Sequence, residues 1–277
     1  MGFLERFRGR PTATITRRSD LPGHRVIRGD LRGGRVDSTE SIHFEEARLD
    51  SVDLSGAVFG VFSATASAFE GCDFRNAKLK DGQFGTVGPQ TTYVDCHFDG
   101  ADLRGMWGLG NVRFVRCTFD SAKIHDWWGD ASDFIDCHFA GKLTMCRFEG
   151  RIWDPGWLEP GRLNPPRERN QFRGNDFRDA ELIDCAFRHG IDISANLWPE
   201  GPGYIRLDRL ARRIAYARAV VARWPAGPDR RHAESILRIF STHGYEEQEE
   251  LFTLKANVGL EPAVAETWRI LAEAPVT

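Results

Sequence analysis

Large apolar residues recur every five positions through the middle of this chain. Steps of five from Phe44 land on Leu49, Leu54, Phe59, Ala64, Phe69, Phe74, Leu79 and Phe84. Two residues before each stand Ile42, Ala47, Val52, Ala57, Phe62, Ser67, Cys72, Ala77 and Gly82, mostly small or apolar. The other positions are largely charged residues, Ser, Gly and Asn. An amphipathic helix needs apolar residues at i, i+3, i+4 and i+7, and a half-buried strand needs strict alternation. One large and one small inward residue per five fit neither. They describe a chain that turns a corner every five residues, so that four corners close a coil of about twenty residues, the period of a solenoid.

The cysteines occupy one slot of this repeat. All six lie in Cys-x-Phe, with the phenylalanines at Phe74, Phe98, Phe119, Phe139, Phe148 and Phe187. Cys96, Cys117 and Cys137 are 21 and 20 residues apart, and Cys72 lies 24 before Cys96. These four are expected to stack in one column, with coils about 4.8 Å apart and the extra residues bulging out at Thr86–Gln90. Free cysteine behaves as a small buried hydrophobe. Stacked, parallel Cβ vectors suit a disulfide poorly. The six are therefore expected to be reduced and buried, with no metal site.

The stretches Phe98-Asp99-Gly100-Ala101-Asp102-Leu103 and Leu49-Asp50-Ser51-Val52-Asp53-Leu54-Ser55-Gly56-Ala57 resemble the A(D/N)Lxx pattern of pentapeptide-repeat proteins. The resemblance covers residues 42–150, returns at 170–187, and has weaker antecedents at Val26, Leu31 and Val36. It implies a mainly β protein, a right-handed four-sided pentapeptide-repeat β-helix, here with a C-terminal α-helical subdomain. The expected organisation is an N-terminal extension at 1–25, a β-helix at 26–193 interrupted by a loop at 151–169, and the helical subdomain at 194–277. The pattern slips near Trp107, Trp128 and Leu143.

Residues 151–169 hold four prolines and two glycines, which forbid a regular ladder. This loop offers Trp153 and Trp157 as partner anchors, or as residues folded back on the rod. Ser194–Tyr204 reads as a linker. Leu207, Leu210, Ile214, Ala217, Val221 and Trp224 then form one helical stripe. A second helix is expected from Asp229 as its cap, a third over Tyr245–Asn257, and a fourth from Pro262. The helices are expected to cover the open end of the coil, as solenoid caps do, or to pair two subunits in a homodimer. The arginines from Arg206 to Arg223 read as a solvated face paired with Glu246, Glu247, Glu249 and Glu250.

Charge is uneven along the chain. Residues 1–41 carry nine arginines and five acids, residues 42–150 ten bases and sixteen acids, and residues 151–277 eighteen bases and nineteen acids. The repeat body is the acidic part. Asp99 and Asp120 follow the inward Phe in adjacent coils, and Asp95 and Asp136 share another outward column. No P-loop, GxSxG or HExxH is present. His97 and His138 are expected to face outward two coils apart, too far for a triad. The reading is a non-enzyme without cofactor, cytoplasmic, with no membrane span and no direct nucleic-acid binding.

Two functions follow. The resemblance implies a DNA mimic of the quinolone-resistance type, whose acidic rod face engages DNA gyrase or topoisomerase IV; its contact residues here are Asp95, Asp99, Asp120 and Asp136, with Trp153 and Trp157. The alternative is a generic protein-interaction scaffold using the loop and the helical tail, and an enzyme of unknown reaction is a distant third. Charge geometry separates the first two. A continuous acidic stripe favours mimicry, and acids interspersed with bases favour a scaffold.

Overall fold

The computed structural model describes residues 12–17, 24–36, 40–106, 108–152, 166–259 and 261–275. Its body is a parallel β-helix with coils of about twenty residues, and register shows how the sequence builds it. Asp53, Asp73, His97, Thr118, His138, Asp176 and Leu197 are successive parallel partners from coil to coil. The inward residue just before each is therefore Val52, Cys72, Cys96, Cys117, Cys137, Asn175 and Asn196. The cysteine column expected from spacing is present, all six thiols are free and buried, and two asparagines continue it. The extra residues between Cys72 and Cys96 leave the ladder between the strands Gly82–Gln83 and Thr91–Val94, as the spacing required.

The large slot is a stack of rings. Phe74, Phe98, Phe119, Phe139, Phe177 and Trp198 follow one another with centroids 4.7, 5.0, 4.8, 4.5 and 5.2 Å apart and planes within 13° of parallel. The coil rise sets this spacing, and it coincides with the distance at which aromatic pairs attract. Phe69, Tyr93, Phe114 and Phe134 form a second stack. Tyr93 is fully buried, and its hydroxyl donates to the Phe84 carbonyl at 3.1 Å.

Corners need a left-handed residue. Ser51, Gly71, Asp95, Arg116, Asp136 and Gly174 each follow an equivalent strand residue, and all have φ between +51° and +69°. Asp and Ser tolerate this region better than most residues and Gly adopts it freely. Gly82 is obligatory for a second reason. A Cβ there would lie 1.7 Å from the Phe62 carbonyl oxygen.

The slips have local causes. At the tryptophan pair, Trp127 turns inward and is fully buried, while Trp128 lies outside with the Arg147 guanidinium 4.3 Å from its ring centroid. At Leu143 the coil has one residue fewer between inward positions than its neighbour. His138 pairs with Asp176 but Ala140 with Asp179, and Gly141 absorbs the bend at φ +85°. Trp107 lies outside the described residues.

Both ends are covered. The strand Thr14–Arg17 runs antiparallel to His24–Arg32 at the N-terminal end. At the other end Ser194–Tyr204 is not a plain linker. Asp192 caps a 3-10 turn at Ile193–Ala195, and Trp198 then completes the ring stack. Phe252 lies on Trp198 at 4.6 Å and Tyr204 on Phe252 at 5.5 Å.

Three α-helices follow: α1 (Leu210–Val221), α2 (Pro228–Ile239) and α3 (Pro262–Glu273). The stripe Leu210, Ile214, Ala217 and Val221 packs against Ala233, Ile236 and Leu237 of α2 and Val264, Trp268 and Leu271 of α3. Gly227, not Asp229, caps α2, and Pro228 fills its first position. The helix expected over Tyr245–Asn257 does not form. In its place are a 3-10 turn at Tyr245–Glu247, a strand at Leu251–Leu254 antiparallel to Tyr204–Leu207, and another 3-10 turn at Lys255–Val258. Leu251 sits in the helical core while Phe252 closes the ring stack. Residues one apart face opposite ways in a strand, which lets this one segment serve both cores. No helix among the described residues is long and apolar enough to cross a membrane.

Candidate interaction faces of the rod

Outward positions form columns just as inward ones do, so a partner would meet ladders of side chains. The column containing Asp53, Asp73 and Asp176 holds arginine partners. Arg35 bonds Asp53 at 2.6 Å, Arg75 bonds Asp73 at 2.6 Å, and Arg178 bonds Asp176 at 2.7 Å. In the last two the arginine stands two residues after its acid. Arg104 holds Asp102 in the same way at 2.7 Å on the next side of the rod. Nearer the N-terminal end Arg25, Arg28 and Arg32 pair with Glu40, Glu45 and Asp50 of the adjacent coil.

The expected contact residues divide by this criterion. Asp95 is half exposed, and the Arg116 guanidinium one coil on clasps it through Nε at 2.7 Å and Nη2 at 2.8 Å. That hydrogen bond holds the Asp95 carboxyl below its ordinary range. Hydrogen bonds from Arg104 and Arg178 do the same for Asp102 and Asp176. Burial raises the Asp73 carboxyl, but the hydrogen bonds from Arg75 outweigh it and leave a net lowering.

Asp99 accepts the backbone N–H of Asp120 at 3.0 Å, and Asp120 bonds His138 Nδ1 at 2.5 Å. Asp136 makes no salt bridge among the described residues; its carboxylate lies over Gly174. Asp99, Asp120 and Asp136 thus remain without arginine partners in three consecutive coils. Trp153 and Trp157 lie outside the described residues.

The loop's stem is described. Arg151 and Arg169 form an antiparallel bridge, and Ile152 N–H donates to Glu168 O at 2.9 Å. Arg167 inserts beside it. Its guanidinium bonds the fully buried Asp133 carboxylate, Asn111 Oδ1 at 2.9 Å and the Ala131 carbonyl at 2.5 Å. Arg113 completes the pairing of Asp133 from the other side at 2.9 Å.

Not every acid of the repeat body belongs to its surface. Asp130, Asp133 and Glu149 are buried. Glu149 bonds Arg188 and His189 Nδ1, the latter at 2.7 Å. The His189 N–H donates to the Gly244 carbonyl at 2.8 Å, which ties the rod to the helical subdomain. Burial, aided by the Glu149 charge, pushes the Asp130 carboxyl up to about 6. In the sequence all three count among the sixteen acids of residues 42–150. Asp133 and Glu149 keep the ladder register, opposite Arg113 and Arg188, so the five-residue pattern carries no signal of their burial. Of the basic segment, Arg206 pairs with Glu250 at 2.7 Å, whereas Glu247 pairs with Arg151 and Arg213 with Asp208.

No family model matches the chain, and no curated protein matches it. Among solved structures it is similar to full-length QnrB1, a plasmid-mediated fluoroquinolone resistance protein, at 17% identity over 64% of this chain and 82% of that one, with a TM-score of 0.31. It is also similar to HetL, a pentapeptide repeat protein involved in heterocyst differentiation regulation in the cyanobacterium Nostoc, at 13% identity over 62% and 86%, with a TM-score of 0.19.

Proposed function

We propose that this protein is a non-enzymatic interaction scaffold that presents a patterned rod surface to a protein partner. The carrying observation is the pairing of carboxylates with arginines: Asp53 with Arg35, Asp73 with Arg75, Asp95 with Arg116 and Asp176 with Arg178. DNA carries one unbroken charge per ~1.7 Å of axis. This rod instead alternates sign within and between coils. By the charge-geometry criterion, that supports recognition by pattern over phosphate mimicry. The buried Arg167–Asp133 pair fixes the loop's described stem on the rod, and Trp153 and Trp157 are the proposed anchors.

Modulation of DNA gyrase or topoisomerase IV is the second reading. What favours it is that Asp99, Asp120 and Asp136, on two neighbouring columns in three consecutive coils, have no arginine partner among the described residues, and a cationic saddle would engage such acids.

Two measurements separate the readings. The triple variant Asp99→Lys/Asp120→Lys/Asp136→Lys is compared with the native chain by cross-linking in source lysate and mass spectrometry, after both are shown to melt alike. A partner captured by the native chain and lost by the variant supports the rod surface; capture unchanged by the variant counts against it. A gyrase supercoiling assay with and without a topoisomerase poison addresses the second reading, which fails if micromolar protein leaves the enzyme indifferent.

A further inference from the structure

The helical subdomain carries a strand edge that nothing described covers. The Tyr204–Leu207 strand has one partner, Leu251–Leu254, in a two-stranded antiparallel sheet. Lys255 N–H donates to Gly203 O at 2.9 Å across this pair. Because antiparallel residues alternate between bonded and non-bonded pairs, residues 203, 205 and 207 turn their backbone groups toward that partner. Tyr204 and Arg206 turn theirs away. The Tyr204 N–H is taken by Gly201 O at 3.1 Å. The Tyr204 carbonyl and the N–H and carbonyl of Arg206 have no backbone partner among the described residues. Such an edge is a template for another strand.

This edge lies in a groove of about 570 Å³, inside the ~300–1,000 Å³ range of ligand sites. The facing wall is α3, through Ala265, Trp268, Arg269 and Ala272. These positions share one side of the helix, and the two alanines leave room beside the strand. An edge strand facing a helix across a gap is the architecture that accepts an extended peptide as an added strand. Charge narrows the occupant. Arg206, Lys255 and Arg269 line the groove and no carboxylate does. Arg206 and Arg269 are held by Glu250, Glu266 and Glu273, whereas Lys255 has no ion-pair partner among the described residues.

We propose that this groove binds an extended, acidic segment of a partner protein by strand addition to the Tyr204–Leu207 edge, with a carboxylate meeting Lys255. The rod surface takes no part in it. Failure of either surface is therefore visible without the other, and the rod triple variant keeps the groove's ligand.

The test pans a phage-displayed library of random octapeptides against the purified full chain, then measures one selected peptide by fluorescence anisotropy. Selected sequences should alternate apolar residues with Asp or Glu. Arg206→Pro removes the outward N–H at an edge position that tolerates proline, and it should weaken binding by about tenfold, the loss of roughly one hydrogen bond. Arg206→Ala keeps that N–H and should bind nearly as the native chain does. Lys255→Glu should weaken acidic peptides. Failure to enrich any peptide would overturn the proposal. So would a folded Arg206→Pro chain that binds like the native one, or light scattering showing a dimer that Arg206→Pro breaks, since a second copy would then own the edge.

Discussion

Phe98 stacks on Phe119 of the next coil with ring centroids 5.0 Å apart and planes 5° from parallel. Both are fully buried. Each ring is wedged between its own stack and the neighbouring one, with Phe114 6.0 Å from Phe98 and 5.6 Å from Phe119, so little is free to collapse into a gap. Phe119→Ala should therefore cost about 3–5 kcal/mol, the range for buried Phe to Ala. Phe74→Asp, Phe98→Asp or Phe119→Asp each bury an unpaired charge and should unfold a rod of ordinary stability, about 5–15 kcal/mol. Circular dichroism melts check this, and an unchanged melt for any Asp variant would refute the stacking account. His97→Ser, at an exposed site bonded to Thr118 at 3.1 Å, should be nearly silent.

The cysteines make a chemical counterpart. Burial raises the thiols of Cys96, Cys137 and Cys146 well above their usual range, and the thiolate is the reactive form. Native-state alkylation followed by intact-mass measurement should label slowly or not at all, and denaturation should expose all six. Fast labelling of four or more in the native state would contradict the register.

Asn175 ends the cysteine column with polar chemistry. Its Oδ1 accepts Cys137 N–H at 3.1 Å, and its Nδ2 donates to Phe134 O and Asn196 Oδ1, both at 2.9 Å. Asn175→Cys restores the residue of the four preceding coils but leaves buried groups without partners. Each such group costs about 1–3 kcal/mol. The substitution should lower the urea midpoint, and a midpoint equal to the native one would show that the asparagines are incidental.

What the sequence revealed follows from repetition. Cys72 to Cys137 predicted a column because identical slots at a fixed period leave one geometry. The same logic placed Asp95 and Asp136 on one outward column, but it could not see Arg116 clasping Asp95 from the coil between them. Pairing depends on which way a long side chain lies, and periodicity does not carry that. The Leu251–Leu254 strand was hidden for another reason. It is only four residues long and buried on both faces, so it shows no polar alternation, and its role comes from the two cores it joins. Asp133 and Glu149 read as surface acids because their partners, Arg167 and Arg188, lie 34 and 39 residues away in sequence.

Asp130 should give stability a pH dependence of unusual sign. Its carboxyl stands at about 6 in the fold against about 3.9 in the unfolded chain. Glu149, Arg147, Arg188 and His189 are the charged and titratable groups around it. A raised carboxyl favours the fold when protonated. Its contribution is thus full below the unfolded value and is lost as pH rises through about 6. The loss is roughly 3 kcal/mol, at about 1.4 kcal/mol per pH unit. Asp130→Asn should stabilise the protein at pH 8 and flatten its stability profile between pH 4 and 6. Equal destabilisation at both ends would show that Asp130 is held as a charged partner.

Asp95 and Arg116 allow pattern and net charge to be separated. Both occupy left-handed corner positions, at φ +53° and +51°. Each therefore already demonstrates that the other's residue type is tolerated there. The exchange Asp95→Arg/Arg116→Asp keeps the ion pair, the corner geometry and the net charge. It moves each charge by one coil, about 4.8 Å. An exposed pair contributes about 0–1 kcal/mol, so the melt should hardly move. A partner that responds to the rod's field as a phosphate surrogate senses charge averaged over a screening length of about 8 Å, and the exchange should leave it nearly unaffected. A scaffold partner that pairs with each side chain at contact distance meets two like-charge clashes and should bind at least about tenfold more weakly, a loss of about 1.4 kcal/mol. The measurement is a titration of the captured partner, or of gyrase, against native and exchanged chains at two salt concentrations. Weakening by exchange at both salts supports recognition by pattern. Indifference to exchange, together with affinity that collapses as salt rises, would return the mimic to first place.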